Sequence, residues 1–100
     1  MLVAVLVADL LFPGSDSLKD KRRRLGGLTS RVRSRFPVSV AEVGFQDLRQ
    51  RGRIGVALVT TDSRLARSIL DQITDVIGRN GEIEMTDRRI EIHRMEDGEP

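Results

Sequence analysis

An α+β fold is predicted for this chain of 100 residues, and three observations predict it. Four runs rich in Val, Leu and Ile are short enough to be strands. Two longer segments carry apolar residues at helical spacing. The six segments follow one another as strand, helix, strand, strand, helix, strand. That order is the split βαβ, ferredoxin-like βαββαβ arrangement, a four-stranded antiparallel sheet with two helices on one face. Residues 1–94 are expected to form one domain, and residues 95–100, MEDGEP, a disordered acidic tail.

The first strand is read at residues 2–12. Leu2, Ala4, Leu6, Ala8 and Leu10 share one parity, and Val3, Val5, Val7 and Leu11 the other. A strand apolar on both faces belongs in the middle of a sheet. Phe12-Pro13-Gly14-Ser15 then turns the chain. Ser17 is a good N-cap, and Asp20 suits the positive end of the helix dipole. Leu18, Leu25, Leu28, Val32 and Phe36 fall within about 80° on a helical wheel, and Pro37 stops the helix. VSVAEVGF (38–45) and RIGVALVTT (53–61) read as strands joined by a polar connection. Gly55 and Ala57 leave room for close packing on their face. Asp62 caps the second helix, which ends at Gly78 or Gly81. The last strand runs from about Ile83 to His93. Its apolar parity changes between Met85 and Ile90, which predicts a bulge near Asp87 and Arg88.

Several chemistries are excluded or disfavoured by residue type. The chain has no cysteine and a single histidine, His93. A disulfide framework, a thiolate nucleophile and a C-x-x-C metal loop are ruled out, and His93 lacks partners for a metal or acid–base site. No catalytic, metal or cofactor site is therefore expected. The apolar N-terminus lacks a preceding basic region and is interrupted by Asp9, so it reads as a strand and not as a signal peptide. It is also too short to span a bilayer, and no membrane role is expected. Asp9 is expected at a strand end or paired with an arginine rather than as a buried acid. Base stacking on the sheet needs aromatic residues on the first and third strands, and RIGVALVT has none. FPGSDS lacks the glycines of an anion-binding loop. A small-ligand regulatory domain remains open.

Charge is unevenly distributed. Residues 1–53 hold 11 Lys/Arg and 5 Asp/Glu, while residues 54–100 hold 6 and 10. The excess centres on SLKDKRRRLGGL (17–28). On the wheel Lys19, Arg23 and Arg31 point outward. Arg24 and Arg35 flank the apolar stripe on one side, Arg22 and Arg33 on the other, and Lys21 snorkels over it. Asp20 is the one acidic residue in the segment, so the charge reads as uncompensated. Arginine dominates, and its planar fork suits bidentate phosphate contacts. Gly26 and Gly27 each cost the helix about 1 kcal/mol relative to alanine. A solvated basic face in an arginine-rich chain is the plain competing reading.

SLKDKRR (17–23), FPVSVAEVG (36–44) and QDLRQR (46–51) together resemble the YlxP-like family of small bacterial proteins, a domain of unknown function (DUF503). The resemblance covers nearly the whole chain and implies a ferredoxin-like fold with no established activity. Genes of the family often lie among those for translation initiation and ribosome maturation factors, which implies a cytoplasmic role near RNA or the ribosome. The family pattern falls on Ser17, Leu18, Lys19, Lys21, Arg22 and Arg23, and on Glu42, Gln46, Asp47, Gln50 and Arg51. Arg49 departs from it where a tryptophan is common, and Gly26 and Gly27 where bulkier residues are usual.

The leading expectation is a non-enzymatic, cytoplasmic protein that binds structured RNA or the ribosome. Lys19, Lys21, Arg22, Arg23, Arg24, Arg31, Arg35 and Arg51 are the expected phosphate contacts. The alternative is a dimeric interaction or small-ligand regulatory module using the apolar sheet face. A homodimer through the sheet face or an edge strand is expected under either reading.

Overall fold

A computed structural model of the chain describes residues 1–96. Strand β1 (Leu2–Leu11), helix α1 (Leu18–Arg35), strands β2 (Ser39–Gly44) and β3 (Arg51–Thr60), helix α2 (Ser63–Gly78) and strand β4 (Glu84–Arg94) follow in the expected order. All pairings are antiparallel, and the sheet order is β2-β3-β1-β4. The architecture is ferredoxin-like. Of the expected tail, Met95 is tied back by its N–H to the Met1 carbonyl at 2.8 Å, and residues 97–100 lie outside the described residues.

β1 sits centrally because both its parities are apolar. Leu2, Ala4, Leu6, Ala8 and Leu10 are buried beneath the helices with Ile54, Val56 and Leu58 of β3. Val3, Val5, Val7 and Leu11 are half-buried on the open face. The stripe of α1 contributes Leu25, Leu28 and Val32, and that of α2 contributes Ala66, Ile69, Leu70, Ile73, Val76 and Ile77. Ser17 caps α1 by accepting from the Asp20 N–H at 3.0 Å, and Asp62 caps α2 by accepting from Arg64 and Leu65. Each cap satisfies donors that the first helical turn leaves without partners.

Strand ends shift by one or two residues from the sequence reading: β1 ends at Leu11, β2 is Ser39–Gly44, β3 is Arg51–Thr60 and β4 is Glu84–Arg94. β3 begins at Arg51, paired with Leu11, and Gly52 within it lies beneath the Phe12 ring; a Cβ there would sit 2.9 Å from Phe12 Cε1. The bulge expected near Asp87 and Arg88 is present, with Thr86 as the extra residue: Asp9 is opposite Asp87 while Leu10 is opposite Met85. The extra residue returns Met85 to the core face.

The two sheet edges are treated differently. On β2 the Val40 carbonyl accepts from Arg33 Nη2 at 2.7 Å, and the Glu42 carbonyl accepts from Gln46 Nε2 at 3.3 Å. These side chains occupy outward acceptors that an incoming strand needs. On β4, no hydrogen bond reaches the outer backbone groups of Arg88, Ile90 or Ile92 from the described residues.

Candidate functional site

The basic segment divides into three groups once folded. Lys21 forms the first group alone. It is 1% exposed, and its ammonium lies 2.9 Å from the Phe45 carbonyl, 2.8 Å from that of Leu48 and 2.9 Å from that of Arg51. The Gln46 carbonyl is more distant at 3.4 Å. Glu42 Oε2 is 3.0 Å away. The three short carbonyl contacts take the three ammonium protons, so Glu42 contributes charge rather than a further well-aligned hydrogen bond. Phe45 holds φ at +57°, an unusual left-handed value for a bulky residue, and its carbonyl meets Lys21 there. Lys21 is thus a buried anchor of the β2–β3 hairpin. Its expected role as a phosphate contact is corrected: it has neither surface nor a free proton to offer.

Other residues of the motif serve the same junction. Gln50 Nε2 donates to the Ser15 carbonyl at 3.1 Å, and Arg49 Nη1 to the Asp16 carbonyl at 3.2 Å. The hairpin is thereby laid against the start of α1, and Arg49 is the hairpin arginine that lies beside the basic helix.

Arg23 and Arg24 form the second group. Arg24 is 13% exposed, donates to the Pro13 and Glu82 carbonyls, and pairs with Asp20 at 2.9 Å. Arg23 is exposed but pairs with Asp20 at 3.0 Å and Glu82 at 2.9 Å. The guanidinium of Arg23 holds the carboxyls of both Asp20 and Glu82 below the usual carboxylate range. The helix is therefore not uncompensated. Glu82, from the loop between α2 and β4, supplies the missing counter-charge, and Arg24 is corrected from phosphate contact to inter-element brace.

Lys19, Arg22, Arg31 and Arg35 form the third group. All are exposed, and no carboxylate among the described residues lies within 4 Å of any of them. Arg35 rests over the Phe36 ring at 5.6 Å. Between them the outer face of α1 is small-residue surface: Gly26, Gly27, Ser30 and Ser34 are exposed. A Cβ at Gly26 or Gly27 would meet nothing within 4 Å, so no intramolecular packing requires these glycines.

Arg51 belongs to another surface. Strand alternation sends Arg51 and Arg53 to the open face, away from α1. There both stack on Phe45, at 4.2 and 4.8 Å from its ring centre. Arg53 also pairs with Asp9 at 2.6 Å and holds the Asp9 carboxyl below its ordinary range. Asp9 is thus paired with an arginine, as expected. Arg51 therefore lies on a different face from Lys19, Arg22, Arg31 and Arg35, a placement the sequence left open. The rest of the open face carries Val3, Val5, Val7, Ala41, Val43, Gly55, Ala57 and Val59 around a shallow hollow of about 240 Å³. Val43 covers Gly55, whose added Cβ would lie 3.4 Å from Val43 Cγ1. That hollow is smaller than the ~300–1,000 Å³ of typical small-molecule sites.

His93 is exposed, with Glu91 3.7 Å away. Among the described residues, no three His, Asp or Glu side chains gather as metal ligands. No helix among them is long and apolar enough to cross a membrane.

Fold and surface together define a small ferredoxin-like α+β protein with a hairpin locked onto a basic helix. Residues 3–90 match the family described as protein of unknown function (DUF503), and the chain belongs to that family. It is 37% identical over 75 residues to the "Uncharacterized protein YlxP" of Bacillus subtilis (strain 168), covering 75% of this chain and 82% of that one. Among solved structures it is similar to the de novo designed protein Foldit4, at 11% identity and a TM-score of 0.56, over 96% of this chain and all of the other. It is also similar to the designed ferredoxin-fold protein LFR1 1, at 17% identity and a TM-score of 0.45, over 100% and 90% of the two chains. These structural likenesses concern the fold alone.

Proposed function

We propose that the protein is a non-catalytic, cytoplasmic, RNA- or ribosome-associated protein whose phosphate-binding surface is the outer face of α1. The observation that carries this reading is the third group of cations. Lys19, Arg22, Arg31 and Arg35 are exposed without a carboxylate partner among the described residues, whereas Lys21 is buried, Arg23 and Arg24 are paired with carboxylates, and Arg33 is held by the Val40 carbonyl. Leaving charges unpaired along a helix costs a little stability, and polyanion binding offsets that cost. The smooth strip of Gly26, Gly27, Ser30 and Ser34 lets a backbone approach closely between them. The non-catalytic part rests on the single histidine and the lack of cysteine.

The test is binding to a structured RNA and to purified ribosomal subunits across a salt series. It uses wild type, Arg22→Glu/Arg31→Glu, and a charge-matched control on α2, Arg64→Glu/Arg67→Glu. Four phosphate contacts predict a slope of log K against log salt of roughly −3 to −4. The α1 variant loses binding while its circular dichroism is unchanged, and the α2 control retains it. No binding at low salt, or equal loss in both variants, overturns the proposal.

A further inference from the structure

The outer edge of β4 carries an inference independent of the basic helix. Met95 donates its N–H to the Met1 carbonyl at 2.8 Å, and the Met1 ammonium donates to the Met95 carbonyl at 3.4 Å. This is a mutually bonded antiparallel pair, and such pairs recur at every second residue. The register Leu2 to Arg94, Val3 to His93, and on to Asp9 with Asp87, makes His93, Glu91, Arg89 and Asp87 the residues bonded to β1. The N–H and C=O groups of Arg88, Ile90, Ile92 and Arg94 therefore point outward. Ile90 and Ile92 are also half-buried, so their side chains keep apolar surface beside that edge.

The open-face side chains of β4 alternate in character: Asp87, Arg89, Glu91, His93. Placed antiparallel to itself about Ile90, the strand sets Arg89 opposite Glu91 of the second copy and Asp87 opposite its His93. Each match occurs twice by symmetry. On the helix face Ile90 meets Ile90. The same register opposes outward backbone groups to outward backbone groups, as Ile90 with Ile90 and Arg88 with Ile92. Neighbouring registers do worse. Moving the centre by one residue sets Arg89 against Arg89 or Glu91 against Glu91. Centring on Arg88 opposes its guanidinium to its own copy, and centring on Ile92 leaves Arg89 opposite Met95.

We propose that β4 is a self-association edge: two copies of this chain pair through it about a two-fold axis at Ile90, joining two four-stranded sheets into one of eight strands. The occupant is a second copy because side-chain charge and backbone direction are complementary to themselves in one register.

The test combines sedimentation with amide exchange. Wild type is expected at twice 11.2 kDa with a concentration-dependent mass. Glu91→Arg replaces two attractive cross-strand pairs by two repulsive ones and weakens association roughly tenfold. The double variant Arg89→Glu/Glu91→Arg restores it, with circular dichroism showing that each variant is folded. In wild type the amides of Arg88, Ile90 and Ile92 gain exchange protection as concentration rises. A monomer at millimolar concentration overturns the proposal. So does a dimer in which those amides stay unprotected, or one indifferent to Glu91→Arg.

Discussion

Replacing Lys21 by methionine keeps an unbranched apolar stem out to Cε and removes the ammonium. Three backbone carbonyls lose their donor, and Glu42, 22% exposed, loses its counter-charge. Removing one partner of a buried ion pair costs about 3–5 kcal/mol. An orphaned buried acceptor costs about 1–3 kcal/mol when nothing replaces its partner. The receiving loop borders solvent, however, and Glu42 keeps part of its hydration, so water recovers a share of both terms. The net expectation is about 3–4 kcal/mol, a large part of the ~5–15 kcal/mol that stabilises such a domain. At 4–8 °C per kcal/mol for a domain of this size, Tm falls by roughly 12–30 °C. The assay is urea and thermal unfolding followed by circular dichroism. Glu42→Gln is the companion, because it leaves the three carbonyl bonds in place, and its expected loss is about 1–2 kcal/mol. A Lys21→Met variant within about 1 kcal/mol of wild type refutes the argument that the carbonyl cage holds hairpin and helix together.

The remaining expectations concern the helix face and acid. Gly26→Ala and Gly27→Ala each stabilise the protein by about 1 kcal/mol in urea unfolding, since a Cβ meets nothing at either position; if the small surface serves RNA, the same changes weaken RNA binding. The carboxyls of Asp9, Asp20 and Glu82 all titrate lower folded than unfolded, held by Arg53 in the first case and by Arg23 in the other two. Their contribution to stability is complete above the unfolded values near ~4 and is lost as pH falls through the folded values. Tm is therefore flat from neutral pH to about 5 and drops below about 4, and Asp9→Asn/Glu82→Gln shrinks that drop.

Local signals made the fold legible. The double parity of β1, the caps at Ser17 and Asp62, and Pro37 after Phe36 are statements about neighbouring residues, and each finds its place in the structure. What was not legible depends on distant partners. The wheel put Lys21 at the boundary of the apolar stripe, where snorkelling is the ordinary outcome. Its actual acceptors are main-chain carbonyls 24 to 30 residues away, and a carbonyl leaves no mark in sequence. Glu82 neutralises Arg23 from 59 residues away. The signal that pointed to the junction was the family motif itself. Lys21, Glu42, Gln46 and Gln50 all serve the hairpin and its seat on α1. Of the expected phosphate contacts, Lys21 belongs to this fastening, together with family-pattern positions to which the sequence assigned no role.

The side chains of Arg33 and Gln46 on the β2 edge bear on how large an assembly of this chain can grow. A sheet open at both edges adds copies head to tail without limit and forms filaments. Here the Val40 and Glu42 carbonyls are already taken on one side. A copy arriving at β2 must first displace a charge-assisted hydrogen bond. In the pairing proposed above, joining two like β4 edges consumes both, and the β2 edges that remain have these acceptors occupied.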